Sequence, residues 1–208
     1  MESSKQRGTR IGQLECPMNT SVVSDQELIS QARDGDRHAF RELVDRHEGA
    51  VAATVRGMLG NSESARDVGL EVFVRFHRSM SSFRGEANLR TYLTRIAINL
   101  SLNELKRQSR ERKRFSGLDE AEPEDTRKHP DRKIMDQERD AMVRAAITSL
   151  DTPFREVVVL RLINGLSVRE TASALGVPTG TVLSRLSRAQ EKLRVLIKPL
   201  LPDYHEYE

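Results

Sequence analysis

Tryptophan is absent from this chain of 208 residues, aromatic side chains make up only 4% of it, and Cys16 is the single cysteine. One thiol can form neither an internal disulfide nor a cysteine-based zinc site. So few aromatics beside 31% charged residues argue against one large core and for small helical domains. No stretch approaches the ~18 consecutive apolar residues of a membrane span, and no secretory leader pattern is read, so no membrane insertion and a cytoplasmic site of action are expected. His38, His47, His77, His129 and His205 are scattered, and no glycine loop of the phosphate-binding kind occurs. His38 and His47 do not stand at a ligand spacing. No catalytic set stands out, and neither a cofactor nor a metal centre is expected. Strand alternation and internal repeats are also missing, which leaves an all-α chain.

Charge is present but unevenly placed. The net charge of +3 and a pI near 9.2 say little by themselves about partners. Residues 84–114, however, hold nine Lys and Arg against three Asp and Glu, and residues 155–198 hold eight against three. Between them, residues 119–140 hold five against nine. Two basic blocks flanking an acidic one fit two separate surfaces that meet a polyanion while the connector stays off it.

The apolar periodicity organises the chain into two helical domains. Residues 1–23 lack it and read as a disordered tail. Ser24 and Glu27 have capping-box spacing ahead of Leu28, Ile29 and Ala32. Phe40, Leu43, Val44, His47, Val51, Val55 and Met58 then recur at steps of three and four, and Ala65, Val68, Val72, Phe73 and Phe76 do so on the next helix. On a helix expected from Leu89 to Gln108, Leu89, Leu93, Ile96, Ala97 and Leu100 face inward. Tyr92, Arg95, Asn99, Asn103 and Lys106 line its other edge. Such a row, polar with one aromatic, can grip single-stranded bases by hydrogen bonding and stacking. This first domain spans 24–108. The charged, aperiodic residues 109–132 predict a flexible linker. A second domain spans 133–200, with a short tail over 201–208. Its core is expected from Phe154, Val157, Val158, Leu160 and Leu162, after a cap and proline at Asp151-Thr152-Pro153.

The segment LSVRETASALGVPTGTVLSRLSRAQEKLR, residues 166–194, carries the sharpest signal. Ser167 and Glu170 form a second capping-box spacing, and the helix they start is stopped by Gly176-Val177-Pro178, with Thr179 placed to cap a second helix. That is helix-turn-helix spacing. Val182, Leu186, Ala189, Leu193 and Leu196 form the inward stripe of the second helix, with Thr181, Ser184, Arg185, Arg188 and Lys192 on the other face. Hydroxyls and cations of this kind suit the major groove of duplex DNA.

Three blocks, ARDVGLEVFVRFHRSMSSFRG, NLRTYLTRIAINLSLNELKR and FREVVVLRLINGLSVRETASALGVPTGTVLSRLSRAQEKLR, together resemble the bacterial sigma factors of the sigma-70 family, extracytoplasmic-function (ECF) group. The resemblance covers roughly residues 24–198. It implies a promoter-recognition subunit of RNA polymerase with only regions 2 and 4, and therefore promoter DNA and the polymerase core (β′ clamp and β flap) as partners, together with an anti-sigma factor. It further implies that the helix matching residues 89–108 melts and holds the −10 element through Tyr92, Arg95, Asn99, Asn103 and Lys106. Thr181, Ser184, Arg185, Arg188 and Lys192 would read the −35 element. Asp67, Leu70, Glu71 and Phe73 would dock on the core. Tyr92 stands where the family usually has Trp, Leu183 where many members have Lys or Arg, and Gly69-Leu70 where Val-Gln is common. The competing reading is a stand-alone helix-turn-helix regulator, which should shift duplex DNA tightly without polymerase.

Overall fold

The computed structural model describes residues 23–85, 88–115 and 132–198. Among them every regular element is helical: α1 Asp25–Arg33, α2 Arg37–Leu59, α3 Glu63–Ser79, α4 Leu89–Phe115, α5 Arg132–Ser149, α6 Thr152–Val158, α7 Val168–Leu175 and α8 Thr179–Ile197. A 3-10 turn, Met80–Ser82, follows α3, and a π-helical turn, Val159–Ile163, follows α6. Apart from Val23, the expected tails over 1–23 and 201–208 lie outside the described residues, as do residues 116–131 of the expected linker.

Local chemistry starts these helices where the sequence places their caps. Ser24 Oγ accepts the Glu27 amide at 3.3 Å, while the Glu27 carboxylate accepts the Ser24 amide at 2.8 Å. Asp36 caps α2 through the amides of His38 and Ala39, and Ser62 caps α3 through that of Ala65. The first core gathers Leu28, Ile29, Leu43, Val51, Val55, Ala65, Val72, Phe76, Leu89, Leu93 and Ala97, with Val68, Phe73, Ile96 and Leu100 at its margin. Arg33 ties α1 to the end of α3 by donating to the carbonyl of Met80, at 2.9 and 2.7 Å, and to that of Phe83.

Helix α4 runs seven residues beyond the Gln108 end that the sequence suggested. The charged run is helical there and not linker. Arg107 bonds Glu104 one turn back at 2.8 Å and Glu111 one turn ahead at 2.7 Å.

The second core is built on Val157, Val158, Val159 and Leu160, each buried to 1% exposure or less. Four consecutive buried residues exceed one helix face, and α8 covers one side of this run while α2 covers another. The π turn lets both sides be filled. The amide of Asn164 bonds the carbonyl of Val159 at 3.0 Å, so the register slips by one residue. Ile163 then takes the inward place, and Leu162, which the simple helical period assigned to the core, is 53% exposed.

The two cores adjoin along α2 and α4. Met58 and Ile98, from the first half, are fully enclosed in the second core, and Leu102 and Leu105 pack on it. The buried Thr54 hydroxyl lies 3.2 Å from Asn164 Oδ1, Arg155 donates to the Met58 carbonyl at 2.7 Å, and Gly57 leaves room for Val159. On α4 this makes three faces: Leu89, Leu93 and Ala97 meet the first core, Ile98, Leu102 and Leu105 the second, and the third is open.

Candidate nucleic-acid interface

The helix-turn-helix corner forms as its residue types demand, with one change. Ser167 and Glu170 complete their capping box at 2.7 and 3.2 Å, and Glu170 also accepts from Thr91 of α4 at 3.3 Å. The Ser167 amide, more than its hydroxyl, holds the Glu170 carboxyl below the usual range. Gly176 ends α7 in the left-handed conformation, φ 66°. Thr179 does not cap α8. The cap position is Pro178, whose fixed φ of −60° and extended ψ of 150° suit it, and Thr179 is already the first helical residue.

On α8, Val182, Ala189 and Leu193 are buried and Leu186 is partly so. Leu196, assigned inward from its spacing, is 43% exposed; Ile197 packs on the core at that end instead. Of the five residues expected to face DNA, Ser184 and Arg188 are fully outward and Thr181 is half-buried. Arg185 and Lys192 sit on the shoulder of the helix, next to α6. Arg185 stands 3.8 Å from Glu156, and Lys192 bonds Asp151 at 2.7 Å while lying 4.8 Å over the Phe154 ring. Burial raises the Glu156 carboxyl and the charge of Arg185 partly offsets this. The hydrogen bond from Lys192 holds Asp151 below the usual range. The open face therefore belongs to Gly180, Leu183, Ser184, Ser187 and Arg188, all exposed. Leu183 and Ser187 share the helical period with Ser184 and Arg188, and a search for polar and charged groups alone passes over Leu183.

On α4, Arg95, Asn99, Asn103 and Lys106 form one exposed row along the third face. Tyr92 does not stand free at its head. Its hydroxyl lies 3.1 Å from that of Ser79 and its ring packs 4.8 Å from Phe83 and 6.2 Å from Phe76, so it is a half-buried prop beneath the row. On α3, Asp67 and Glu71 are exposed, Leu70 is 69% exposed, and Phe73 packs on the first core. Leu70 and Phe73 border a shallow groove between α2 and α3 that Arg66 and Gly69 also line.

Comparison with known proteins decides the family. Residues 43–111, spanning α2 to α4, match the model for Sigma-70 region 2, and residues 140–193, spanning α5 to α8, match that for Sigma-70, region 4. The chain is 33% identical to the ECF RNA polymerase sigma-E factor of Haemophilus influenzae over 186 residues, covering 86% of this chain and 98% of that protein. The chain belongs to the ECF sigma-factor family. The sigma-E factor of Escherichia coli K12 is likewise 33% identical, over 86% of this chain and 97% of its own.

Solved structures agree with the fold. CnrH, in complex with the cytosolic domain of CnrY, matches at a TM-score of 0.60 and 30% identity, over 84% of this chain and 97% of that one. The sigma factor RpoE of Bartonella quintana, in complex with the anti-sigma factor NepR, matches at a TM-score of 0.63 over 76% of this chain and 96% of that one, at 23% identity. Within this sigma factor the exposed row of α4 lies in the region 2 match and the open face of α8 in the region 4 match. Among the described residues no helix is long and apolar enough to cross a membrane.

Proposed function

We propose that this sigma factor carries RNA polymerase core to its promoters by reading the −35 element as duplex with α8 and holding the melted −10 element on α4. The observation that carries the reading is the presence, on one chain, of two outward rows of different chemistry. The row on α8 is short, with hydroxyls and one guanidinium, and suits base edges in a major groove. The row on α4 combines amides with cations and suits unpaired bases and their phosphates. Asn99 sits mid-row, where its amide can bond a flipped base. Asp67, Leu70, Glu71 and the groove beside Phe73 form the surface that meets the polymerase clamp, and the second half meets the flap. The factor works in the cytoplasm and makes no bonds in nucleic acid itself; phosphodiester synthesis belongs to the polymerase. The sigma factor RpoE of Bartonella quintana has been solved with an anti-sigma factor, which supports an inhibitor of that class here.

The test is permanganate reactivity of −10 thymines with holoenzyme on a responsive promoter. Asn99→Ala should lower that reactivity several-fold while closed-complex binding changes little. Reactivity equal to the wild type would remove Asn99, and with it the base-holding role of α4.

A further inference from the structure

We propose that Leu183 is a specificity-determining residue of the −35 reader, recognising the C5-methyl group of a thymine. The proposal rests on α8 entering the major groove and assigns one base within the element.

The outward face of α8 narrows to its first three turns. Gly180, Leu183, Ser184, Ser187 and Arg188 are exposed there, whereas the next outward position is Glu191, a carboxylate paired with Arg194 at 2.9 Å. An acid at that point is repelled by phosphates and marks where close approach to DNA ends. Arg185 and Lys192 are held by acids of the protein's own second half. The exposed side chains on the outward face of these turns are a leucine, two serines and one arginine. The Ser184 hydroxyl already donates to the carbonyl of Thr181 at 3.1 Å, which leaves its oxygen as an acceptor. Leu183 is 54% exposed, and the core beneath it is filled by Val182 and Leu186.

A large apolar side chain among groups that read polar edges selects the one base edge that is apolar. In the major groove only thymine presents a methyl group. Leucine against that methyl buries carbon on both sides. Against cytosine it would cover an amino group and leave that donor unpaired, and against guanine it would cover two acceptors. The position of the −35 element opposite Leu183 is accordingly a T·A pair with thymine on the contacted strand.

Transcription with core polymerase and the full chain on promoters with a randomised −35 element defines the preferred sequence. Each −35 thymine is then replaced singly by uracil, which removes the methyl and nothing else. We expect one position where uracil lowers wild-type initiation about three- to fivefold, the worth of one buried methyl. Leu183→Ala should initiate equally on thymine and uracil there, while Arg188→Ala keeps the uracil effect and relaxes a different position. Indifference of the wild type to uracil at every position, or a uracil effect that survives in Leu183→Ala, would overturn the proposal. If Arg188→Ala relaxes a base preference and no uracil effect exists, the groove reading stands and the assignment to Leu183 falls. If no −35 base preference emerges from the randomised promoters, both fall.

Discussion

Gly49 and Gly57 lie on the same helix, α2, and replacing each by alanine should change stability in opposite directions. Glycine in a helix interior costs about 1 kcal/mol relative to alanine, so either replacement starts from a gain of that size. At Gly49 an added Cβ meets nothing within 4 Å, and Gly49→Ala should keep the gain, about 0.5–1 kcal/mol. At Gly57 the same atom would stand 2.8 Å from Val159 Cγ2, 3.1 Å from Ile163 Cδ1 and 3.4 Å from Val159 Cγ1. Carbon contacts are optimal near about 3.5–4.0 Å. Val159 is fully buried and β-branched, so neither methyl can swing clear. Overpacking of this kind costs about 1–3 kcal/mol and outweighs the propensity gain, for a net loss of up to about 2 kcal/mol. Gly57→Leu has the same helical gain and more volume in the same place, so its loss should be larger again. Urea titration followed by far-UV circular dichroism measures all three. If Gly57→Ala and Gly57→Leu stabilise the protein as Gly49→Ala does, α2 and the π turn do not touch in solution.

Other consequences concern single side chains. Arg188→Ala should cost about 1–3 kcal/mol in −35 recognition without lowering the melting temperature, measured as initiation on specific against scrambled elements; equal loss on both would mark a phosphate contact only. Arg185→Ala should instead lower stability, because it removes the charge that offsets the burial of Glu156. Burial raises the folded carboxyl, so charging it opposes folding as pH rises through its titration. The deficit of the variant should be present in full once the pH is above the raised titration range of Glu156, and fade as pH falls through that range and the carboxyl becomes protonated with or without Arg185. A deficit independent of pH in urea titrations would contradict that origin. Leu70→Gln should tighten binding to core polymerase in a competition assay without altering promoter preference: Leu70 is exposed on the proposed docking surface, and an apolar side chain against polar groups of the clamp would leave them unmatched at about 1–3 kcal/mol each. Weaker or unchanged binding would make Leu70 a favourable contact or place it outside the interface.

Much of the local architecture is legible because it depends on neighbours in sequence. Ser24 with Glu27, Ser167 with Glu170, and the left-handed Gly176 are each set within a turn of chain, and the inward rows of α2, α3 and α8 follow from the helical period. What is not legible depends on distant residues. Thr54 and Gly57 are buried only because the π turn, more than 100 residues later, lies against them. Arg185 and Lys192 share a face with Arg188 by spacing, but Glu156 and Asp151 draw them to the shoulder of the domain. The aromatic ring of Tyr92 looks available for stacking until Phe76, Phe83 and Ser79 are seen around it. Charge alone also misleads: the run after Gln108 continues the helix, with Glu111 paired back to Arg107, and the neutral Leu183 shares the open face.

Run-off transcription on genomic fragments, with core polymerase in the presence and absence of this chain, tests the central claim most directly. A sigma factor should produce discrete start sites that appear only when both components are present, with a shared element near −35 and another near −10, and the chain alone should bind those duplexes weakly. Tight, sequence-specific duplex binding by the chain alone, with no new start sites on adding core polymerase, would contradict the account.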